Sequence, residues 1–224
     1  SYTGDTPAKT DRLIQTISWK INGKVSYALE GSVFVGGSAV QWLRDELNII
    51  SDASETASLA LSLDSNDDVY LVPAFAGLGA PHWDPTARGL LIGLTRGTTK
   101  AHIVRATLES LAYQTQDLID GIQKDNPNFA FKSLRVDGGA SLNDFLMQFQ
   151  ADLCGVTVER PQISETTAYG AAGLAGIKAG LWSEQEFRQT VRIEKTYLPS
   201  IDEEKRSRLL SKWTKAVNRS LNWV

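Results

Sequence analysis

The stretch Leu134-Arg135-Val136-Asp137-Gly138-Gly139-Ala140-Ser141 sets a short apolar run against two glycines and then the start of a helical pattern. At such a strand-turn-helix junction the first N–H groups of the helix have no intrahelical partner. Those donors and the helix dipole favour an anionic or electron-rich ligand. Gly138 and Gly139 carry no Cβ, so a ligand can approach the backbone closely. Asn143, expected in the first helical turn, offers both donor and acceptor to a ring or a ribose. The same residues also suit a tight structural connection in which Asp137 holds the loop. The residues alone leave both readings open.

A second turn repeats the physics. Gly36-Gly37 ends an extended run and Ser38 opens a helix, with Gln41 one turn further on, near the open end. The competing reading is that the two glycines let neighbouring elements pack closely. Neither turn carries the GxxxxGK[ST] pattern, and no GxGxxG follows a strand, which disfavours a P-loop NTPase and a dinucleotide dehydrogenase. A third feature is the helical stretch with Ala168, Gly170, Ala171, Ala172, Gly173, Ala175 and Gly176. Its glycines cost helix stability, so close approach to a sheet, a helix or a flat ligand is expected in compensation. His82, His102 and Cys154 form no metal-binding spacing, and no G-x-S-x-G elbow is present. His102 is expected to start a helix and Cys154 to fill core space. Glu203-Glu204-Lys205-Arg206 reads as a solvated helix face. No residue is assigned to catalysis or to metal.

The elements that must position these turns follow from periodicity. Ile14 to Lys20 and Lys24 to Leu29 flank Asn22-Gly23, a hairpin turn pair. Helices are expected over Ser38 to Asn48 and Ser54 to Leu63, and strands over Val69 to Val72 and Leu90 to Leu94. The Gly/Pro loop between those strands carries Phe75, Leu78 and Trp83 and should be packed. Ile103, Ala106, Leu111, Leu118 and Ile122 recur at helical spacing. A strand at Leu134 to Val136 precedes a helix with Leu142, Phe145, Leu146, Phe149 and Leu153 on one stripe. A strand over Val156 to Glu159 should stop at Pro161. Ser164 is expected to cap a helix running to Lys178 with Gly180 beyond it, and a last helix spans Asp202 to Leu221. This alternation predicts parallel strands covered by helices. The order fits a mixed-sheet α/β layer of ribonuclease-H-like type, an order other α/β folds share.

Bulk properties narrow the class. The chain has 224 residues, 42% hydrophobic and 22% charged, with net charge −3. That balance suits a soluble globular protein and gives no nucleic-acid or anionic-membrane surface. No apolar run approaches the roughly 20 residues needed to cross a bilayer, and no signal peptide is expected at Ser1-Tyr2-Thr3. Cys154 is alone, so a reducing compartment, the cytoplasm, is expected. The chain opens on Ser1 rather than Met, which points to a fragment or a processed form.

Longer motifs then carry a resemblance. Gly89-Leu90-Leu91-Ile92-Gly93-Leu94, His102-Ile103 and Ala106-Thr107-Leu108-Glu109 resemble the C-terminal signature of the FGGY carbohydrate kinases. Tyr27-Ala28-Leu29-Glu30-Gly31, Gln41-Trp42-Leu43-Arg44-Asp45, Pro81-His82-Trp83-Asp84-Pro85 and Gln148-Phe149-Gln150-Ala151-Asp152 are similar to its glycerol-phosphorylating members. The similarity runs along nearly the whole chain. It implies that residues 1–224 form the C-terminal nucleotide-binding domain of an actin-like, two-domain kinase, without its first strands. It implies ATP and Mg²⁺ in the interdomain cleft and transfer of the γ-phosphoryl group to glycerol, giving glycerol 3-phosphate. Gly37, Gln41, Gly139 and Asn143 match nucleotide-contacting positions, and Gly138 belongs to the same turn. The general base and the phosphate-contacting hairpin are implied to lie in an N-terminal half, so this chain alone is expected to be inactive. A homo-oligomer is expected, since missing strands would expose a sheet edge. The alternatives are a kinase for xylulose, gluconate or another polyol, and a kinase-derived binding or assembly module.

Overall fold

The computed structural model describes residues 1–21 and 23–224. Strand β1 (Tyr2–Gly4) and the hairpin β2 (Ile14–Ile21) and β3 (Lys24–Glu30) form an antiparallel sheet in the order β1-β3-β2. The hairpin register pairs Ile14 with Glu30 and Ile21 with Lys24. Of its turn pair, Asn22 lies outside the described residues. Gly23 takes φ +81°, the left-handed region that a tight turn requires.

Two short helices follow, α1 (Ser38–Asp45) and α2 (Glu55–Leu61), both shorter than the periodicity suggests. β4 (Tyr70–Val72) and β5 (Leu90–Ile92) pair antiparallel. They are joined by the Gly/Pro loop rather than by the helical crossover that parallel pairing needs. That loop is packed, with Ala74, Leu78, Ala80 and Ala87 buried. The long helix α3 (Lys100–Asp125) crosses the domain. His102 starts it as expected: it closes a capping box with Thr99, and its Nε2 meets Asp67 at 3.2 Å.

β6 (Ser133–Arg135), α4 (Asp144–Cys154) and β7 (Thr157–Pro161) form the one parallel unit among the described residues. Helix α5 (Thr166–Lys178) and α6 (Glu184–Thr190) lead to β8 (Ile193–Tyr197), which pairs antiparallel with β7. The expected parallel sheet is therefore reduced to the β6–β7 pair. β8 reverses direction because it returns after α6 along the open edge of β7. β7 also runs through Pro161, opposite Ile193 at a register shift where a missing N–H is tolerated. The last helix, α7 (Glu203–Ser220), is capped by Asp202, whose side chain accepts from Lys205 N at 2.7 Å.

The main core gathers α3, α4, α7 and the short strands. Tyr113 stacks on Trp213 with centroids 4.9 Å apart and planes at 9°, and meets Phe149 edge-on at 5.6 Å. Trp213 is 1% exposed and its indole N–H donates to Asp117 at 2.8 Å. Cys154 is buried, as expected, and burial pushes its thiol up to about 12. No helix among the described residues is long and apolar enough to cross a membrane.

Trp213→Ala removes a packed ring and orphans one carboxylate contact. It should cost about 3–5 kcal/mol, read as a lower urea midpoint. An unchanged midpoint would show that α7 is not part of the cooperative core.

Candidate functional site

The two glycine turns, Gly36-Gly37 and Gly138-Gly139, face one hollow. It has a volume of about 280 Å³ and is lined by Gly37, Gln41, Thr56, Gly139 and Asn143, with Arg44 at one border. α1 supplies Gly37 and Gln41, α2 supplies Thr56, and the β6–α4 connection supplies Gly139 and Asn143. Gly138 adjoins the hollow as the residue before Gly139.

Local chemistry explains each wall. Gly37 is the N-cap of α1 and has helical angles, φ −55° and ψ −24°. It has no side chain to cap the first turn, and the N–H groups of Ala39, Val40 and Gln41 are taken up by the Gly36 and Gly37 carbonyls at 2.9–3.2 Å. Gly138 takes φ +74°, and its N–H donates to Ser164 O at 3.1 Å. Asp137 holds the loop as one sequence reading proposed, accepting a hydrogen bond from Thr166 Oγ1. The chain then makes a 3₁₀ turn over Gly139–Leu142 before α4 begins. Gly139 and Ala140 open that turn, so their N–H groups have no partner within it. A Cβ built on Gly37, Gly138 or Gly139 would find no protein atom within 4 Å. Close packing of protein elements therefore does not explain these glycines. Open space stands in front of them.

Asn143 departs from expectation. It is the N-cap of α4 rather than a member of its first turn, because the 3₁₀ turn takes up the intervening residues. Its Oδ1 accepts from Leu146 N at 3.0 Å, and its Nδ2 donates to Thr56 Oγ1 at 3.0 Å. One amide proton and one lone pair are left for a ligand.

The start of α4 is also tied down from behind. Asp144 accepts from Lys195 Nζ at 2.7 Å, Tyr197 Oη at 2.5 Å and Arg160 at 2.9 Å. These donors, Lys195 foremost, hold its carboxyl at about 2. The ion pairs with β7 and β8 thus brace the helix whose N-cap lines the hollow.

Ser164 does not cap α5; the N-cap residue is Glu165 and makes no side-chain cap bond. Ser164 instead spends its carbonyl on Gly138. The small residues of α5 are partly explained: Gly173 faces the Phe187 ring and Gly176 the Trp182 indole. Trp182 Nε1 also donates to Gly173 O at 3.0 Å. The start of α5, with Gly170, borders a separate hollow of about 360 Å³ beside Asp137. A larger cleft of about 570 Å³ lies beyond the far face of α4, lined by Phe145, Phe149, Glu109 and Lys205. It has no glycine turn. Its deepest carboxylate, Glu109, is already engaged by Arg105 and Asn66, each at 2.8 Å. Among the described residues no group of three or more His, Cys, Asp or Glu could hold a metal ion.

Thr56 and Arg44 were not among the candidate site residues, although Arg44 lies within the motif Gln41-Trp42-Leu43-Arg44-Asp45. Thr56 carries no local signal, since its partner lies 87 residues away. Arg44 lies one turn beyond Gln41 on α1 and is clamped by Asp45 through two contacts, 2.6 and 2.9 Å.

The mixed α/β arrangement of short strands and covering helices is consistent with a ribonuclease-H-like fold. The pattern of the FGGY family of carbohydrate kinases, C-terminal domain, matches residues 3–179, and the chain belongs to that family. It is 58% identical over 212 residues to glycerol kinase 2 of Thermotoga maritima, covering 94% of this chain and 42% of that protein. It is 55% identical over 221 residues to the glycerol kinase of Bacillus subtilis, covering 98% of this chain and 44% of the relative. The Plasmodium falciparum glycerol kinase structure with ADP superimposes with a TM-score of 0.91 at 36% identity, over 100% of this chain and 45% of that one. A gluconate kinase from Lactobacillus acidophilus shares the fold, with a TM-score of 0.78 at 23% identity over 96% of this chain and 43% of its own. The chain thus spans under half the length of the relatives it matches.

The folded carboxyl of Asp144 lies below its ordinary range, so its ion pairs add stability above the unfolded pKa. That stability is lost as pH falls toward the folded value. Asp144→Asn should be the less stable form at neutral pH, and the gap should close between about pH 5 and pH 2. Urea midpoints of both forms across that range check this; a constant gap would show that the carboxylate does not brace α4.

Proposed function

We propose that residues 1–224 are the nucleotide-binding domain of a kinase that transfers the γ-phosphoryl group of ATP to glycerol, giving glycerol 3-phosphate. The observation that carries the reading is the convergence of Gly37, Gln41, Gly139 and Asn143 on one hollow whose glycines face open space. Support for glycerol as acceptor comes from relatives at 52–58% identity that are named glycerol kinases.

In this reading the turn at Gly138 and Gly139 lets the nucleotide come against backbone N–H groups. Gly37 and the start of α1 form the opposite wall, with Gln41 and Asn143 as polar contacts. Their task is binding and orientation, on which phosphoryl transfer largely depends. Mg²⁺, when bound with ATP, supplies charge neutralisation at the phosphates. No residue of this chain is given the role of general base; the family resemblance assigns that to an N-terminal half. The chain by itself is expected to bind nucleotide weakly and to turn over nothing, because one wall cannot exclude water or align the acceptor.

A coupled assay on the protein with its N-terminal half should show ATP-dependent glycerol phosphorylation. Turnover of xylulose or gluconate with none of glycerol would overturn the substrate, and steady turnover by residues 1–224 alone would overturn the division of labour. Gly139→Val places a branched side chain where no protein atom stands. It should raise the KM for ATP on the order of tenfold with an unchanged unfolding midpoint. An unchanged KM would make the turn structural only.

A further inference from the structure

Thr56 is 1% exposed, yet it lines the same hollow as Asn143. Its hydroxyl has a single proton. That proton goes to Ala53 O at 2.6 Å, within the turn that leads into α2. The oxygen is therefore left as an acceptor only, and Asn143 Nδ2 stands 3.0 Å from it. On the other side of the amide, Leu146 N–H donates to Oδ1 at 3.0 Å.

The two bonds assign the amide unambiguously. A flipped Asn143 would set its oxygen against the Thr56 oxygen, which has no proton to offer, and its NH₂ against the Leu146 N–H. Both bonds would be lost at once. Leu146 N–H alone would keep the amide near this pose but would leave one amide proton without a partner. Thr56 itself is well anchored. Arg105 on α3 donates to Ala60 O at 3.3 Å and to Leu63 O, holding the end of α2. Arg105 is in turn fixed by buried Glu109 at 2.8 Å.

We propose that Thr56 is a positioning residue for nucleotide binding: together with the Leu146 N–H it locks the Asn143 amide so that one defined edge faces the hollow. What remains exposed to a ligand is one N–H donor and one lone pair of defined direction. That pair is complementary to a nucleotide edge carrying an adjacent acceptor and donor. The inference rests on the reading of this hollow as the nucleotide site.

The test is the dissociation constant for MgADP, measured by calorimetry on the protein at its native length. Thr56→Val keeps the shape and removes the acceptor; it should weaken binding about three- to tenfold. Thr56→Ser should restore binding to within about twofold, since it returns the oxygen. Asn143→Ala should also weaken binding, and adding Thr56→Val to it should cause no further loss, as expected for two residues acting through one contact. If Gly139→Val and Asn143→Ala both leave the constant unchanged, the nucleotide reading fails and takes this inference with it. Should Asn143→Ala weaken binding while Thr56→Val does not, the role of Thr56 alone is overturned. Full additivity in the double variant, or no rescue by serine, overturns it equally. A readout independent of folding variants is the Asn143 side-chain amide resonance in the unsubstituted protein. It should shift on addition of MgADP, and a resonance that stays in place would overturn the inference.

Discussion

A helix buried on nearly every side constrains everything around it. α3 has buried residues from Ala101 to Ile122, among them the polar Thr107, Glu109, Ser110, Gln114 and Gln116. Apolar burial favours this placement, but each buried polar group needs a partner. Thr107, Ser110 and Gln116 find theirs within α3, whereas Gln114 reaches Val35 O and Glu109 reaches Asn66, which ties those segments to the helix. Glu109, pushed up by burial, is held by Arg105 and Asn66. Arg105 then donates to the Ala60 and Leu63 carbonyls at the end of α2, which ties that helix to α3. Removing one partner of such a pair leaves the other charge buried and is far more damaging than replacing both.

The same helix seats α4 and α7 through its aromatic face. Tyr113 lies flat on Trp213 and edge-on to Phe149. With α2 and α4 both referenced to α3, Thr56 and Asn143 come within a hydrogen bond of each other. α4 is then braced from behind, where Asp144 is tied to β7 and β8 through Arg160, Lys195 and Tyr197. The candidate site is thus made of short loops held by a rigid frame. Such an arrangement keeps polar groups in fixed directions without requiring the loops themselves to be regular.

Much of this was legible along the chain, where the signals are local. Helical spacing identified α3 and α7, and the glycine pairs identified both turns. Gly138 is left-handed, and the space before Gly139 is open, as a ligand-facing turn requires. Less legible was the run from Gly139 to Asn143. Its 3₁₀ turn has no sequence period long enough to separate it from the α-helix that follows. Asn143 therefore turned out to be a cap, and Ser164 did not. β8 and α6 escaped notice because one is a mostly exposed five-residue strand and the other a seven-residue helix with no buried residue. The capping box Ser183-x-x-Glu186 was the available signal for α6.

By itself the sequence determined the order of the main helices, the family pattern and the two glycine turns. Each of these depends on residues a few positions apart, through backbone φ, side-chain period or motif spacing. Only the tertiary structure decided that the two turns share a hollow and that β8 runs against β7. It alone decided that Asn143 presents a defined edge because Thr56 has no proton left to give. The physical reason is range: a hydrogen bond spanning 87 residues exists only after the core has set α2 and α4 against α3.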